Sequence, residues 1–128
     1  MEFRAKLFSW QDTGNHLFVL ARGAMDGPGL TGLFGKIRAD TQSLSECKVL
    51  VDLSYGTCQV DGDEIERLVA GFDLDGWAAG NRIALLSGPE IIDYHRLYFL
   101  RTAVAGRGLV VEVFRDLKVA LDWLAGRT

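Results

Sequence analysis

The stretch CKVLVDL, Cys47 to Leu53, is short, rich in β-branched residues and almost wholly apolar. A strand with one wet face alternates apolar and polar residues, whereas a run like this one belongs to a strand covered on both faces. It predicts the central strand of a sheet with helices layered over it. The flanking sequence supplies those helices. Leu30, Leu33, Phe34 and Ile37 recur at i, i+3, i+4 and i+7, predicting a helix from about Pro28 to Thr41 with Pro28 in its first turn. Asp61 is placed as an N-cap, Glu64 completes an acidic capping box, and Ile65, Leu68, Val69 and Phe72 form the buried face of a second helix. NRIALLS, Asn81 to Ser87, reads as another buried strand. SGPE then starts a helix through IIDYHRLYFLRTAVA that Gly106 ends. LVVEVF is a further strand, and Asp116 caps a last helix with Leu117, Ala120, Leu121 and Leu124 inward, closing at Gly126.

At the N-terminus, FRAKLFSW, the turn residues DTGN and the run HLFVLA predict a β-hairpin. The order hairpin, helix, strand, helix, strand, helix, strand, helix implies an α/β sandwich: a mixed, mostly parallel sheet with about four helices. A chain of 128 residues fits one domain, here expected over residues 1–128.

With 14 basic and 17 acidic residues, the chain lacks the basic footprint that nucleic acid demands. No apolar run approaches the roughly 18 residues of a membrane span, and the charged N-terminus lacks a secretory signal, so a cytoplasmic protein is expected. Neither cysteine has Cys or His at zinc spacing. An extended CKVLVDL would also hold Cys47 and Cys58 too far apart to bond, so no metal, cofactor or disulfide is expected.

Gly27, Gly29 and Gly32 stand as G-x-G-x-x-G, and Asp52 follows about 20 residues on, the spacing of a dinucleotide fingerprint. In that fingerprint the strand runs directly into the first glycine. Here Ala21 to Asp26 intervene after Leu20, Asp26 would set negative charge beside phosphate, and the helical stripe already begins at Leu30. Nor is GLFGK a P-loop, because Ile37 stands where Ser or Thr should bind magnesium. Gly29, Gly32 and Gly35 are therefore expected inside a helix, each costing about 1 kcal/mol relative to alanine. Close approach to the sheet or to another chain would compensate.

Three stretches together resemble the STAS domain family, named for sulfate transporters and bacterial anti-sigma factor antagonists. More closely they are similar to small stand-alone bacterial STAS-like proteins often grouped with lipid-binding CRAL-TRIO folds. FVLARGAMDGPGLTGLFGKI resembles the family's strand, turn and first helix; KVLVDLSYGTCQVDGDEIERLV its strand end, loop and acid-led helix; VFRDLKVALDWL its closing strand and helix. The resemblance implies a STAS-like sandwich of four helices and a mixed sheet, in which most members bind partners rather than catalyse. Anti-sigma antagonists carry a phosphorylatable serine after the Asp that leads the second helix. The matching position here is Gly62, followed by Asp63 and Glu64, so no hydroxyl is available there. Ser54 and Thr57 are nearby hydroxyls. Asp63 is expected either to supply permanent charge where relatives acquire it reversibly, or only to help cap the helix.

Catalysis needs converging groups, and the chain offers only His16, expected exposed at a strand start, and His95. His95 sits among Tyr94, Tyr98 and Phe99 and could line a pocket with them. The plainer reading of that helix is an aromatic core face with Arg96 and Arg101 outside. No nucleophile motif is present. Charge is uneven: residues 60–80 hold Asp61, Asp63, Glu64, Glu66, Asp73 and Asp75 against Arg67, whereas residues 94–118 hold Arg96, Arg101, Arg107, Arg115 and Lys118 against Glu112 and Asp116. Such asymmetry can orient a protein partner or a homodimer.

The leading expectation is a non-enzymatic regulatory module that binds a protein partner or a second copy. Its contact surface is the loop and helix start carrying Asp52, Ser54, Tyr55, Thr57, Asp61, Gly62 and Asp63. The alternative is a carrier of a lipid-like molecule, with a cavity of hundreds of Å3 enclosed between the Ile91–Ala105 helix and the glycine-bearing first helix, lined by Tyr94, His95, Tyr98 and Phe99. Nucleotide binding ranks behind both.

Overall fold

The computed structural model describes residues 8–12, 16–41, 48–72 and 81–126. The start of the first strand, most of the DTGN turn, Cys47, Asp73, Asp75 and the rest of the connection 73–80 lie outside them.

The elements follow the order β1 (Phe8–Asp12), β2 (Leu17–Met25), α1 (Gly27–Thr41), β3 (Lys48–Cys58), α2 (Gly62–Ala70), β4 (Arg82–Leu86), α3 (Ile91–Ala105), β5 (Val110–Phe114) and α4 (Leu117–Leu124). The five strands stand in chain order, β1-β2-β3-β4-β5, with β1 antiparallel to β2 and the other four parallel. This is the expected α/β architecture of N-terminal hairpin, mostly parallel sheet and four helices.

Because strand order follows chain order, crossovers of one hand place α1, α2 and α3 on the same face. Alternate residues of every parallel strand meet them: Val19, Val49, Val51, Ile83, Leu85, Val111 and Val113 join Leu33, Ile37, Ile65, Val69, Leu97, Leu100 and Val104 in the larger core. Phe34 stacks on Phe72 at 5.2 Å between ring centroids. Among the described residues it is α4, with no further strand after it, that covers the opposite face, where Leu50, Ala84 and Leu86 pack against Ala120 and Leu124. Arg82 anchors it by donating to the Trp123 carbonyl at 2.8 Å. CKVLVDL is apolar on both sides because β3 lies between these layers.

The caps at Asp61 and Asp116 form as expected, accepting from Glu64 N at 2.9 Å and Val119 N at 3.1 Å. Gly106 is the C-cap of α3 but keeps a helical φ; the left-handed residue is Gly108. Leu117, expected inward, is exposed, because the α4 stripe that reaches the sheet is Ala120 and Leu124. His16 is half-buried rather than exposed.

Gly29, Gly32 and Gly35 are wound into α1 as expected, and Gly27 opens it; yet β2 does run to Met25, so strand and helix meet almost directly. What fills the phosphate position is protein carboxylate. Asp26 accepts from Gly29 N at 2.8 Å, and a Cβ on Gly27 would lie 2.8 Å from Oε2 of Glu64. Two acids thus serve the positive end of α1. Of the glycines expected in the helix, Gly29 lies close to the sheet, a Cβ there falling 3.2 Å from Met25 Sδ of β2, whereas a side chain at Gly35 would meet open space, so the expected compensation does not extend to Gly35.

Candidate functional site

β3 does not end at Asp52. It continues to Cys58, so Asp52, Ser54, Tyr55 and Thr57 belong to a strand and not to the expected loop. The continuation rests on a bulge: from Leu20↔Asp52 to Arg22↔Tyr55 the register advances two residues on β2 and three on β3. The buried Asp52 carboxylate holds the irregularity by accepting from Ser54 N at 2.9 Å and from the Ser54 hydroxyl. Beyond it, Gly23 pairs with Gly56 so closely that a Cβ on Gly56 would overlap the Gly23 carbonyl. A strand-end reading misses this extension because GTC carries no apolar alternation. The strand leaves Tyr55 71% exposed, with Thr57 also outward.

At the start of α2, Asp61 and Asp63 are exposed and Gly62 is half-buried. Gly62 has a definite neighbour: a Cβ there would sit 3.2 Å from the Phe99 ring of α3. The two groups of residues expected to serve separate purposes, Asp61, Gly62 and Asp63 on the one hand and the aromatics around His95 on the other, therefore meet on one surface.

The orientation of α3 reverses the expected faces. Its buried stripe is Asp93, Leu97, Leu100 and Val104, at i, i+4, i+7 and i+11, while Tyr98 and Phe99 are 46% and 54% exposed and His95 faces outward. Ile91 and Ile92 are exposed as well. Nor do Arg96 and Arg101 simply point to water. Arg96 donates to the Cys58 carbonyl at 2.7 Å, and Asp93, one turn before it, accepts from Cys58 N at 2.9 Å. The pair satisfies both polar groups of the last β3 residue and ties α3 to the sheet. Arg101 pairs with Glu112 at 3.3 Å and lies 5.4 Å over Tyr98, and Arg115 lies 5.8 Å over Tyr94. The sequence reading placed Arg96 outside and passed over Asp93. The available signal was an acid on the apolar i, i+4, i+7 stripe of α3, where a charge demands a partner.

Tyr94, His95, Tyr98, Phe99 and Thr102 do line a common groove, of about 520 Å3. It runs along the outside of α3 instead of being enclosed against α1, because α1 packs on α2 and α2 on α3. An enclosed space of about 10 Å3, enough for roughly one water, lies at the β3 end beside Cys58 and Asp93. Burial there raises the pKa of the Cys58 thiol above its ordinary 9.0 and keeps it protonated at neutral pH. Among the described residues no cluster of His, Cys, Asp and Glu is arranged to hold a metal, and no helix is long and apolar enough to cross a membrane.

No family model and no curated protein matches the chain. Solved structures similar to it include the following two. One is an anti-sigma factor antagonist from Mycobacterium paratuberculosis, 18% identical over 92% of each chain with a TM-score of 0.52. The other is an uncharacterised DUF3478-family protein with a SpoIIAA-like fold from Shewanella loihica, 20% identical over 91% of each chain with a TM-score of 0.53. At these identities the likeness is one of fold: the chain has a SpoIIAA-like, STAS-type fold.

Proposed function

We propose that this chain is a non-enzymatic regulatory module that binds a protein partner through the joint surface of α3 and the start of α2. The observation that carries the reading is the row of large apolar side chains left in water on α3, Ile91, Tyr98 and Phe99, continuous with Asp61 and Asp63 through the Phe99–Gly62 contact. Exposed apolar patches with polar borders mark association surfaces. The fold shared with an anti-sigma factor antagonist supports a regulatory role. In this reading Asp63 contributes fixed charge at the α2 N-terminus, beside a glycine that no kinase can modify.

Photo-crosslinking residues placed at Tyr98 and at Asp63, with Lys118 on α4 as control, test it in cells of the native host. The expected result is one and the same protein adduct from Tyr98 and Asp63 and none from Lys118. No adduct from the first two positions, or the same adduct from all three, refutes it. Asp63→Asn and Asp63→Ser variants binding the captured partner with unchanged affinity would remove the role given to Asp63.

A further inference from the structure

The exposed side of α3 has a definite length and two different borders. Ile91, His95, Tyr98, Phe99 and Thr102 follow at i, i+4, i+7, i+8 and i+11, a stripe of about three turns and roughly 16 Å. Along one border the cations are engaged within the molecule: Arg101 pairs with Glu112 over Tyr98, and Arg115 lies over Tyr94 while donating to the Pro89 carbonyl at 3.3 Å. Along the other border lies α2, with Asp61, Asp63 and Glu66 exposed against the single base Arg67, and Glu66 on the same side of the helix as Gly62. The groove of about 520 Å3 is lined by α3 side chains alone, and the acids of α2 lie beyond it, past the Phe99–Gly62 contact.

Resting on the reading of this face as a protein-binding surface, we propose that its occupant is an amphipathic helix of a different polypeptide. The aliphatic stripe of that helix lies along Ile91, Tyr98 and Phe99, and Lys or Arg residues on one flank meet Asp63 and Glu66. A strand is a poor fit, since α3 presents side chains and no row of unpaired backbone groups. Among the described residues a second copy does not supply the required helix: its own α3 brings the apolar stripe, but the cations beside it, Arg101 and Arg115, are engaged within the molecule. α4 exposes Leu117 and Val119, but its base Lys118 is paired with Asp122 at 2.8 Å, and the outward residues of α1, Thr31, Gly35, Lys36 and Ala39, include no large apolar side chain. An anionic membrane would be repelled by the α2 border.

The test uses two fluorescein-labelled helical peptides of about 18 residues, one with a leucine stripe flanked by lysines and one with the same stripe flanked by glutamates. Their anisotropy is read against the full chain, with denaturation curves confirming that each variant folds. The lysine peptide is expected to bind at 1:1, to lose at least tenfold in affinity with Phe99→Ala, and to lose its advantage over the glutamate peptide in Asp63→Lys/Glu66→Lys. Failure of both peptides to bind, equal binding of the two, or indifference to these variants overturns the proposal. So does a concentration-dependent dimer in sedimentation velocity that Phe99→Glu abolishes, which would make a second copy the occupant. If the peptides fail while the Tyr98 and Asp63 crosslinks still capture one protein, the partner chemistry falls and the protein-binding reading stands; loss of both removes both.

Discussion

Replacing Asp93 tests the connection that aims α3. The residue is 5% exposed, and its carboxylate accepts from the amide of Cys58, itself buried, while Arg96 donates to the carbonyl of the same residue. A hydrogen bond to a charged acceptor contributes about 1.5–3 kcal/mol, and an orphaned buried amide costs about 1–3 kcal/mol; these describe one loss, not two. Asp93→Ala should therefore destabilise by about 2–3 kcal/mol, lowering Tm by roughly 10 °C for a chain of this size. Asp93→Asn keeps an acceptor oxygen without the charge and should cost about half as much. Arg96→Ala should cost about 1 kcal/mol, and the double variant less than the sum, since both anchors act on one residue. Urea denaturation of the four proteins, with thermal melts beside it, measures all of this. A cost for Asp93→Ala below about 0.5 kcal/mol, within the range of ordinary surface substitutions, would refute the clamp. Equal losses for alanine and asparagine would refute the argument that the acceptor is what counts.

Gly56→Ala would drive a methyl group into the Gly23 carbonyl on the neighbouring strand, where neither backbone can yield, and should cost about 3 kcal/mol or more in a denaturation assay. Gly62→Ser meets only the edge of the Phe99 ring at 3.2 Å. It should cost about 1 kcal/mol or less, and Phe99→Ala in the same chain should remove the penalty; a melt showing no such rescue would contradict the contact. The Cys58 thiol has its folded pKa raised above 9.0 by burial, so its contribution to stability is complete below that pH and is lost as pH rises through the folded value. The urea midpoint should accordingly fall more steeply above about pH 9 in the wild type than in Cys58→Ala, and identical slopes would refute it.

The parallel sheet and its helices were legible because each strand and helix announces itself locally. CKVLVDL can be apolar on both sides only between two layers, and Leu30, Leu33, Phe34 and Ile37 can share one side only in a helix. The caps at Asp61 and Asp116 were equally local, being interactions across three residues. Which side of α3 turns inward was not local. Its sequence carries apolar residues nearly all round, so periodicity leaves the buried side open, and the bonds from Asp93 and Arg96 to Cys58, 35 and 38 residues away, accompany the one that forms. The same holds for the second half of β3, where GTC shows no strand pattern and the pairing with Arg22–Met25 supplies the structure. Sequence by itself therefore determined most of the strands and helices, their order along the chain and the largely parallel character of the sheet. Only the tertiary structure brought Phe99 onto Gly62 and so joined an acidic helix start to an aromatic helix side, because that contact depends on how two helices, each stable in several rotations, settle on one sheet.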